Sequence, residues 1–549
     1  MKSFRAALAP AFFALIMAIT LGALAFRVKD VGNRPMHGDE AVHAAKFRDL
    51  WEHGTYTYDA NEYHGPTIYY AALPAVKMLG RHSWLETREA DYRLPIAVIG
   101  AAMIPLLLLF YRSLGRKATL TAALLLAVSP AFVFYSRYFI QEVPLAFFTL
   151  GWLACGWRYF QSASKYWLAA SAVFAGLMIA SKETAVLSFV CAGISAVAAA
   201  ALTRKRDGVA FNFRSLLTSK KMLAAAAIAV LVAGAFISGF GHNLHGPLDY
   251  LKAYTPWFHR AHGTDIHRHP FLYYLEILVW SHRKGGDVWN ELPIVVLAIL
   301  GAGIALLRRG KVQTEPAVVT ADNGGNALLW RFIAFFTISL TLIYSVIPYK
   351  TPWCILSFLL GMILLAGLGL DAILRAVKAV PAQALVVFIF MLGATQLRNE
   401  AYRASWTSNS DPHNPYVYAA TASDITKLVE RIDNLAKVWP EHNQLVIKVF
   451  ATSNYYWPLP WYLRHYPNVG YYPHAPTSKA EAEAAVTMCS PELDEQMTAL
   501  LTDDLMNGMN EIRPGVFFES FIRMDVWTAY VNQLNGSQQR KFVPPPEEK

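Results

Sequence analysis

The sequence predicts a mainly α, polytopic membrane protein with about 11 transmembrane helices, followed by a small extracytoplasmic α/β domain. Three observations predict this. Of the 549 residues 55% are hydrophobic and only 16% charged, with a mean hydropathy of +0.28, which is too apolar for a soluble protein. Apolar runs long enough to cross a bilayer recur along about the first 400 residues. The chain carries a formal net charge of +10, and its short basic loops between those runs all fall on one side. That is the mark of cytoplasmic loops rather than of a nucleic-acid surface.

Taken in order, residues 8–26 form the first span, with Lys2 and Arg5 before it. Its length and the lack of a small-x-small cleavage site mark an uncleaved helix with a cytoplasmic N-terminus rather than a signal peptide. An outer loop follows over 27–92. Residues 94–111 return to a basic turn of Arg112, Arg116 and Lys117. Residues 120–135 and 143–160 form the next pair, and Lys165 marks the inner side again. A hairpin over 167–180 and 185–202 turns outside at Ser181-Lys182-Glu183-Thr184 and ends in a strongly basic loop with Arg204, Lys205, Arg206, Arg214, Lys220 and Lys221. Residues 223–240 lead to a long outer loop over 241–290. The return, 292–307, precedes Arg308, Arg309 and Lys311. Residues 332–347, 355–370 (followed by Arg375 and Lys378) and 384–397 complete the membrane domain, 1–398. From 399 to 540 the pattern changes. Asp424 to Val438 is helical, Gln444 to Ala451 alternates like a strand, and Ser478 to Met488 is helix-like, which together suggest the α/β domain. The tail 541–549 is proline-rich, charged and expected to be disordered. The four cysteines, three of them in apolar runs, give no disulfide framework.

Polar residues gather on the side opposite the basic loops. The first outer loop holds adjacent carboxylates, Asp39 and Glu40, beside His37, His43, His53 and His64. Asp39 to His53 suits a short amphipathic helix, with Asp39 near its start, where the ordinary role of an aspartate is a cap. If the segment is helical from Asp39, then His37, Asp39 and His43 could share one divalent ion. The second outer loop carries Arg137 and Glu142, the third Lys182 and Glu183, the fourth seven histidines without regular ligand spacing, and the fifth Tyr349-Lys350-Thr351-Pro352-Trp353. The histidine-rich loop reads as a cover over the site, and Trp457 to Arg464 as a run that packs a domain onto the membrane. Arg137, Lys182 and Lys350 break the positive-inside trend. A phosphate suits an arginine fork and lysine point charges, and the alternative is pairing with Glu142, Glu183 and lipid headgroups.

These motifs, in this order, resemble the GT-C superfamily of polytopic glycosyltransferases, which includes protein O-mannosyltransferases and aminoarabinose transferases. The resemblance rests on Asp39-Glu40, on Arg93-Leu94-Pro95 through Gly100, and on Ser129-Pro130 followed by Tyr135-Ser136-Arg137 and Glu142. It rests also on Ser181-Lys182-Glu183-Thr184. His-Gly-Asp-Glu-Ala-Val-His-Ala from His37, Tyr63-His64-Gly65-Pro66, Tyr349 to Trp353 and Trp457 to Arg464 are similar to a subfamily named for association with flippase activity. The resemblance implies a polyprenyl-phosphate-linked sugar donor used at the outer membrane face. Many members have Asp where this chain has Glu142.

The residue chemistry fits that implication. Sugar transfer from a lipid phosphate to a hydroxyl needs a base and charge stabilisation for the departing phosphate. Asp39 is the expected base, with Glu40 supporting it or holding a metal. Arg137, Glu142, Lys182 and Lys350 are the expected donor-phosphate set, and His64, Tyr349 and Trp353 the acceptor or loop residues. The expected partners are the bilayer, the lipid-linked donor and a lipid, glycan or protein acceptor, with no nucleic acid. No glycine-rich nucleotide loop is present, so a nucleotide cofactor is not expected. The rival class is a non-catalytic transporter or flippase-associated component, which calls for mid-span carboxylates or broken helices in paired halves. A receptor-like scaffold with an external binding domain would leave Asp39, Arg137 and Lys350 without a role.

Overall fold

A computed structural model describes residues 2–60, 64–208, 218–262, 267–307, 327–502 and 506–539. The chain divides into two compact units, 1–33, 46–82 and 87–418 in the first and 34–45, 83–86 and 419–549 in the second. Tyr63, Arg214, Arg308, Arg309, Lys311 and the tail 541–549 lie outside the described residues.

The first unit is helical. Its helices run α1 (Lys2–Val28), α2 (Gly38–Glu52, whose residues from Lys46 onward belong here), α3 (Thr67–Met78), α4 (Glu89–Leu106), α5 (Arg116–Val128), α6 (Pro130–Tyr135) and α7 (Glu142–Ser162). They continue with α8 (Lys165–Ile179), α9 (Ala185–Asp207), α10 (Ser219–Ile237), α11 (Leu292–Leu307), α12 (Ala327–Val346), α13 (Leu356–Ala376) and α14 (Val380–Tyr402). Among the described residues seven helices are long and apolar enough to cross a membrane, and α8 and α11 are shorter apolar helices. The protein is a multi-pass membrane protein. With no hydrophobic force between helices in lipid, close approach depends on small residues. At the α11–α13 contact a Cβ on Gly301 would lie 1.9 Å from the Leu365 carbonyl oxygen, and one on Gly369 2.2 Å from that of Leu297.

The predicted span 120–135 is broken in two. Pro130 cannot donate into the helix and clashes with the preceding turn, so α5 stops at Val128 and α6 starts afresh at Pro130. The freed groups are taken up by Glu291, which accepts from Ser129 Oγ (2.7 Å), the Ala131 amide (2.9 Å) and Tyr416 Oη (3.1 Å). Two arginines close other helix ends. Arg27 donates to the carbonyls of Leu126 (2.8 Å) and Ala127 (3.1 Å) at the end of α5. Arg137 donates to those of Arg27 (2.8 Å), Lys29 (2.5 Å) and Asp30 (3.0 Å) at the end of α1. Cations at helix C-termini satisfy orphan carbonyls and offset the dipole.

The second unit holds α15 (Asp424–Ala436) and a five-stranded sheet of β1 (Ile447–Phe450), β2 (Val469–Tyr472), β3 (Val486–Cys489), β4 (Met506–Arg513) and β5 (Val516–Ile522). The strand order is β2-β1-β3-β5-β4, parallel across the first three and antiparallel in the last two pairings. Ile425, Leu428, Ile432 and Leu435 line one face of α15 and pack with Ile447, Val449, Val486 and Met488. The helix-like stretch 478–488 is corrected. Only Lys479–Ala482 is helical, and the buried run after it is β3. A short apolar run has no periodicity that separates a buried strand from a helix. The β4–β5 hairpin, turned at Pro514-Gly515 with Gly515 at φ +76°, was not predicted.

Candidate active site

In the second unit, the segment 34–45 shows how the two adjacent carboxylates differ. Helix α2 begins at Gly38, and Glu40 reaches back to accept the His37 amide (3.0 Å), closing the helix start as the glutamate of a capping box does. The same Oε2 accepts from Arg34 Nη2 (2.8 Å), and both side chains are buried. Glu40 therefore carries the capping role first assigned to Asp39. The Asp39 side chain is 45% exposed and 4.0 Å from His37 Nδ1, a nitrogen that already accepts the Asp39 amide (3.1 Å). Burial pushes the His37 imidazole below the ordinary histidine range, so it stays neutral. The proposed metal set is corrected. His37 precedes the helix and does not share a face with His43, its Nδ1 lone pair is used, and no three His, Cys, Asp or Glu side chains gather as metal ligands among the described residues. The set does not fit a metal ion.

The first unit joins two motifs that lie over a hundred residues apart. His64-Gly65-Pro66-Thr67 is zipped to the turn between α8 and α9. The Gly65 amide donates to Ser181 O (3.1 Å), and Thr67 Oγ1 and Ser181 Oγ share a hydrogen bond (2.8 Å). Glu183 accepts from Tyr58 Oη and from His64 Nδ1, both at 2.6 Å. A Cβ on residue 65 would lie 1.9 Å from the Ala180 carbonyl oxygen, so only glycine permits this approach. Burial alone would push the Glu183 carboxyl up, but His64 and the hydrogen bonds from His64 and Tyr58 outweigh it and hold it at about 2. Beside this cluster, Tyr56, Tyr58, Asp59, Lys46, Asp249 and Lys252 are among the residues lining a cleft of about 690 Å³.

The expected phosphate-binding set is spent inside the protein. Arg137 is given over to the carbonyls of Arg27, Lys29 and Asp30 and lies 4.0 Å over the Trp406 ring, so it is not the open fork that the sequence suggested. Lys350 donates to the carbonyls of His269 (3.3 Å) and Ile347 and is buried. Lys182 is paired with Glu142, both buried. Burial pulls the Lys182 ammonium down, but Glu142 outweighs it and keeps Lys182 above the ordinary lysine range. Of the three N–H groups an ammonium offers, one of Lys182 goes to Glu142 and one remains at Lys350. Tyr349 pairs with Arg268 in a bridge, its ring 4.9 Å from that of His267. Trp353 is buried with its ring 5.5 Å from that of Tyr418 and 6.3 Å from that of Tyr135. The described residues of the loop 241–290 include helices over 246–252, 254–262 and 273–279 and a two-stranded hairpin. The sequence reading missed Glu291, whose signal is an acid placed immediately before an apolar run. It missed Tyr58 as well, which carries no local signal.

A family described as dolichyl-phosphate-mannose-protein mannosyltransferase matches residues 69–243 of the chain. Among solved structures the chain is similar to ArnT from Cupriavidus metallidurans bound to undecaprenyl phosphate. That match has a TM-score of 0.56 at 14% identity and covers 93% of this chain and 98% of that one. The Archaeoglobus fulgidus oligosaccharyltransferase tethered to an acceptor peptide containing the NVT sequon is also similar. Its TM-score is 0.51 at 11% identity, covering 84% of this chain and 63% of that one. The same enzyme in complex with Zn and sulfate matches at a TM-score of 0.51 and 11% identity, over 88% and 69% of the two chains. No curated protein sequence matches the chain. At these identities the likeness shows the fold.

Proposed function

We propose that this chain, a membrane glycosyltransferase of the GT-C superfamily, moves a sugar from a polyprenyl-phosphate-linked donor to an acceptor hydroxyl on the extracytoplasmic side. Asp39 takes the hydroxyl proton. The acceptor oxygen then bonds to the sugar's anomeric carbon, and the bond to phosphate oxygen breaks with its electron pair leaving on the polyprenyl phosphate. Lys182, paired with Glu142, and the buried Lys350 are the cations assigned to that phosphate. The steps rest on side chains alone. The reading places the N-terminus and basic loops in the cytoplasm and Asp39, the domain from 399 and the polar loops outside, in a cell membrane. ArnT, bound to undecaprenyl phosphate, supports the donor class, and the residue match at 69–243 supports a lipid-phosphate sugar.

The observation that carries the reading is the split between neighbours. Glu40 is committed to Arg34 and the helix start, while Asp39 stands half exposed with no ion partner closer than 4.0 Å among the described residues. A carboxylate left accessible beside a committed one is the available base. The test is mass analysis of envelope glycans and lipid-linked sugars in a deletion strain. Wild type restores a missing glycan and Asp39→Asn, equally expressed, does not. Full restoration by Asp39→Asn removes Asp39 as the base, and no glycan difference on deletion removes the reading itself.

A further inference from the structure

The aromatic run Trp457 to Arg464 holds the segment that carries Asp39 within the second unit. The peptide of Met36, three residues before Asp39, is gripped at both polar atoms. Its amide donates to Tyr462 Oη (2.8 Å), and its carbonyl accepts from Thr421 Oγ1 (2.5 Å). Met36 and Thr421 are buried. Trp457 backs the helix start, since a Cβ on Gly38 would touch the Trp457 Cβ at 4.0 Å. Trp461, buried against Trp84 with ring centroids 5.9 Å apart, fixes the other end of the segment, because Trp84 Nε1 donates to Ala44 O (2.9 Å). The grip continues into the sheet. The Ala422 amide donates to Ile512 O (2.9 Å), and the next residue of β4 is Arg513. Burial pushes that guanidinium down and Asp39 pulls it back up, so the two charges feel each other. Arg513 Nη2 donates to Tyr455 O (3.0 Å), while its buried Nε has no partner among the described residues.

We infer that Tyr462 and Thr421 are positioning residues for Asp39, and that through them the C-terminal α/β unit sets the place of the reactive carboxylate. The inference rests on the reading of Asp39 as the base. Neither side chain need touch the substrate. Each removes one freedom of the peptide that starts α2, and a base displaced by even a fraction of an ångström loses rate without losing substrate affinity. Mere packing would predict the reverse pattern, lost stability with turnover per folded molecule unchanged.

The experiment uses the full-length protein. Tyr462→Phe and Thr421→Val each remove one hydrogen bond at near-constant volume, and Thr421→Ser keeps the hydroxyl. Turnover is the initial rate at which membranes of a deletion strain carrying each variant regain the missing glycan. Donor affinity is read separately with undecaprenyl phosphate as the probe. Amide hydrogen exchange reports Met36. The expected result is turnover about tenfold lower in Tyr462→Phe and Thr421→Val, with undecaprenyl phosphate affinity unchanged and a fall in melting temperature too small to account for the lost rate. Faster exchange at the Met36 amide is expected in Tyr462→Phe, and near-normal turnover in Thr421→Ser. Wild-type turnover in both, or a Thr421→Ser variant as slow as Thr421→Val, overturns the inference. So does a fall in melting temperature that accounts for the lost rate. A wild-type protein that restores no glycan overturns the proposed function instead, and Met36 exchange unchanged in Tyr462→Phe then overturns the grip itself.

Discussion

Replacing Glu40 by Gln and Asp39 by Asn should produce opposite failures, although the two residues are adjacent and alike in charge. Glu40 is fully buried and its carboxylate faces Arg34, itself 7% exposed, at 2.8 Å. Glutamine can still accept the His37 amide, so the helix start survives, but the charge opposite Arg34 is gone. Neutralising one side of a buried ion pair costs about 3–5 kcal/mol. Asp39→Asn removes a charge from a side chain that is 45% exposed, for which stability should change by about 0.5 kcal/mol or less. Its cost falls on the reaction, on the order of 100- to 10,000-fold, the usual contribution of a positioned base. The measurements are thermal unfolding of each purified variant in detergent and sugar transfer in membranes, normalised to folded protein. Glu40→Gln should unfold early with turnover per folded molecule near wild type, and Asp39→Asn should melt normally and fail to transfer. A stable Glu40→Gln variant that has lost transfer would refute the division and make Glu40 the reactive group.

Arg137→Ala should lower stability by at least about 3 kcal/mol, since three carbonyls at and just beyond the end of α1 lose a charged donor, while undecaprenyl phosphate affinity of the folded fraction stays unchanged. A weakened affinity with an intact fold would return Arg137 to the phosphate. Lys182→Ala should weaken undecaprenyl phosphate binding by about 1.5–3 kcal/mol, measured by titration in detergent, and unchanged binding would leave Lys182 as the partner of Glu142 only. Glu183 has a folded-state value of about 2 against an ordinary 4.5. Its contribution to stability is therefore present above pH 4.5 and is lost as pH falls toward 2, about 3 kcal/mol in all. Unfolding of wild type and Glu183→Gln should converge across that window, and parallel curves would contradict it. For the topology, a single cysteine at Glu430 should label from outside intact cells and one at Lys205 should not, and the reverse would overturn the orientation.

The fold was legible because a bilayer imposes crude, long-range signals. Twenty apolar residues and a basic turn announce a span wherever they occur, and nearly every predicted span lies on an observed helix. The exception, 120–135, failed at Pro130, a residue whose effect is local and was visible. The sheet was less legible because Val486–Cys489 is buried on both faces and carries no alternation. At the site, the sequence could set Arg137, Lys182 and Lys350 apart from the basic loops, but not show what they hold. The partners of Arg137 and Lys350 are backbone carbonyls, which every residue carries, so no pattern of residue types points to them.

The carboxylate pair shows where such reading stops and geometry takes over. Successive residues on a helix point about 100° apart, so of two adjacent acids at a helix start only one can turn back toward the first free amide. Which one does so depends on where the helix begins, and that depends on what lies beyond the segment. Here the start is fixed by groups remote in sequence, Thr421 and Tyr462 at Met36, with Arg34 waiting on the inner side for a countercharge. A shift of the start by one residue would put Asp39 on the buried side and present Glu40 instead. The identity of the available acid is thus decided by the C-terminal unit. On the proposed role of Asp39, this is a physical reason for the enzyme to keep a folded domain about 400 residues later in the chain.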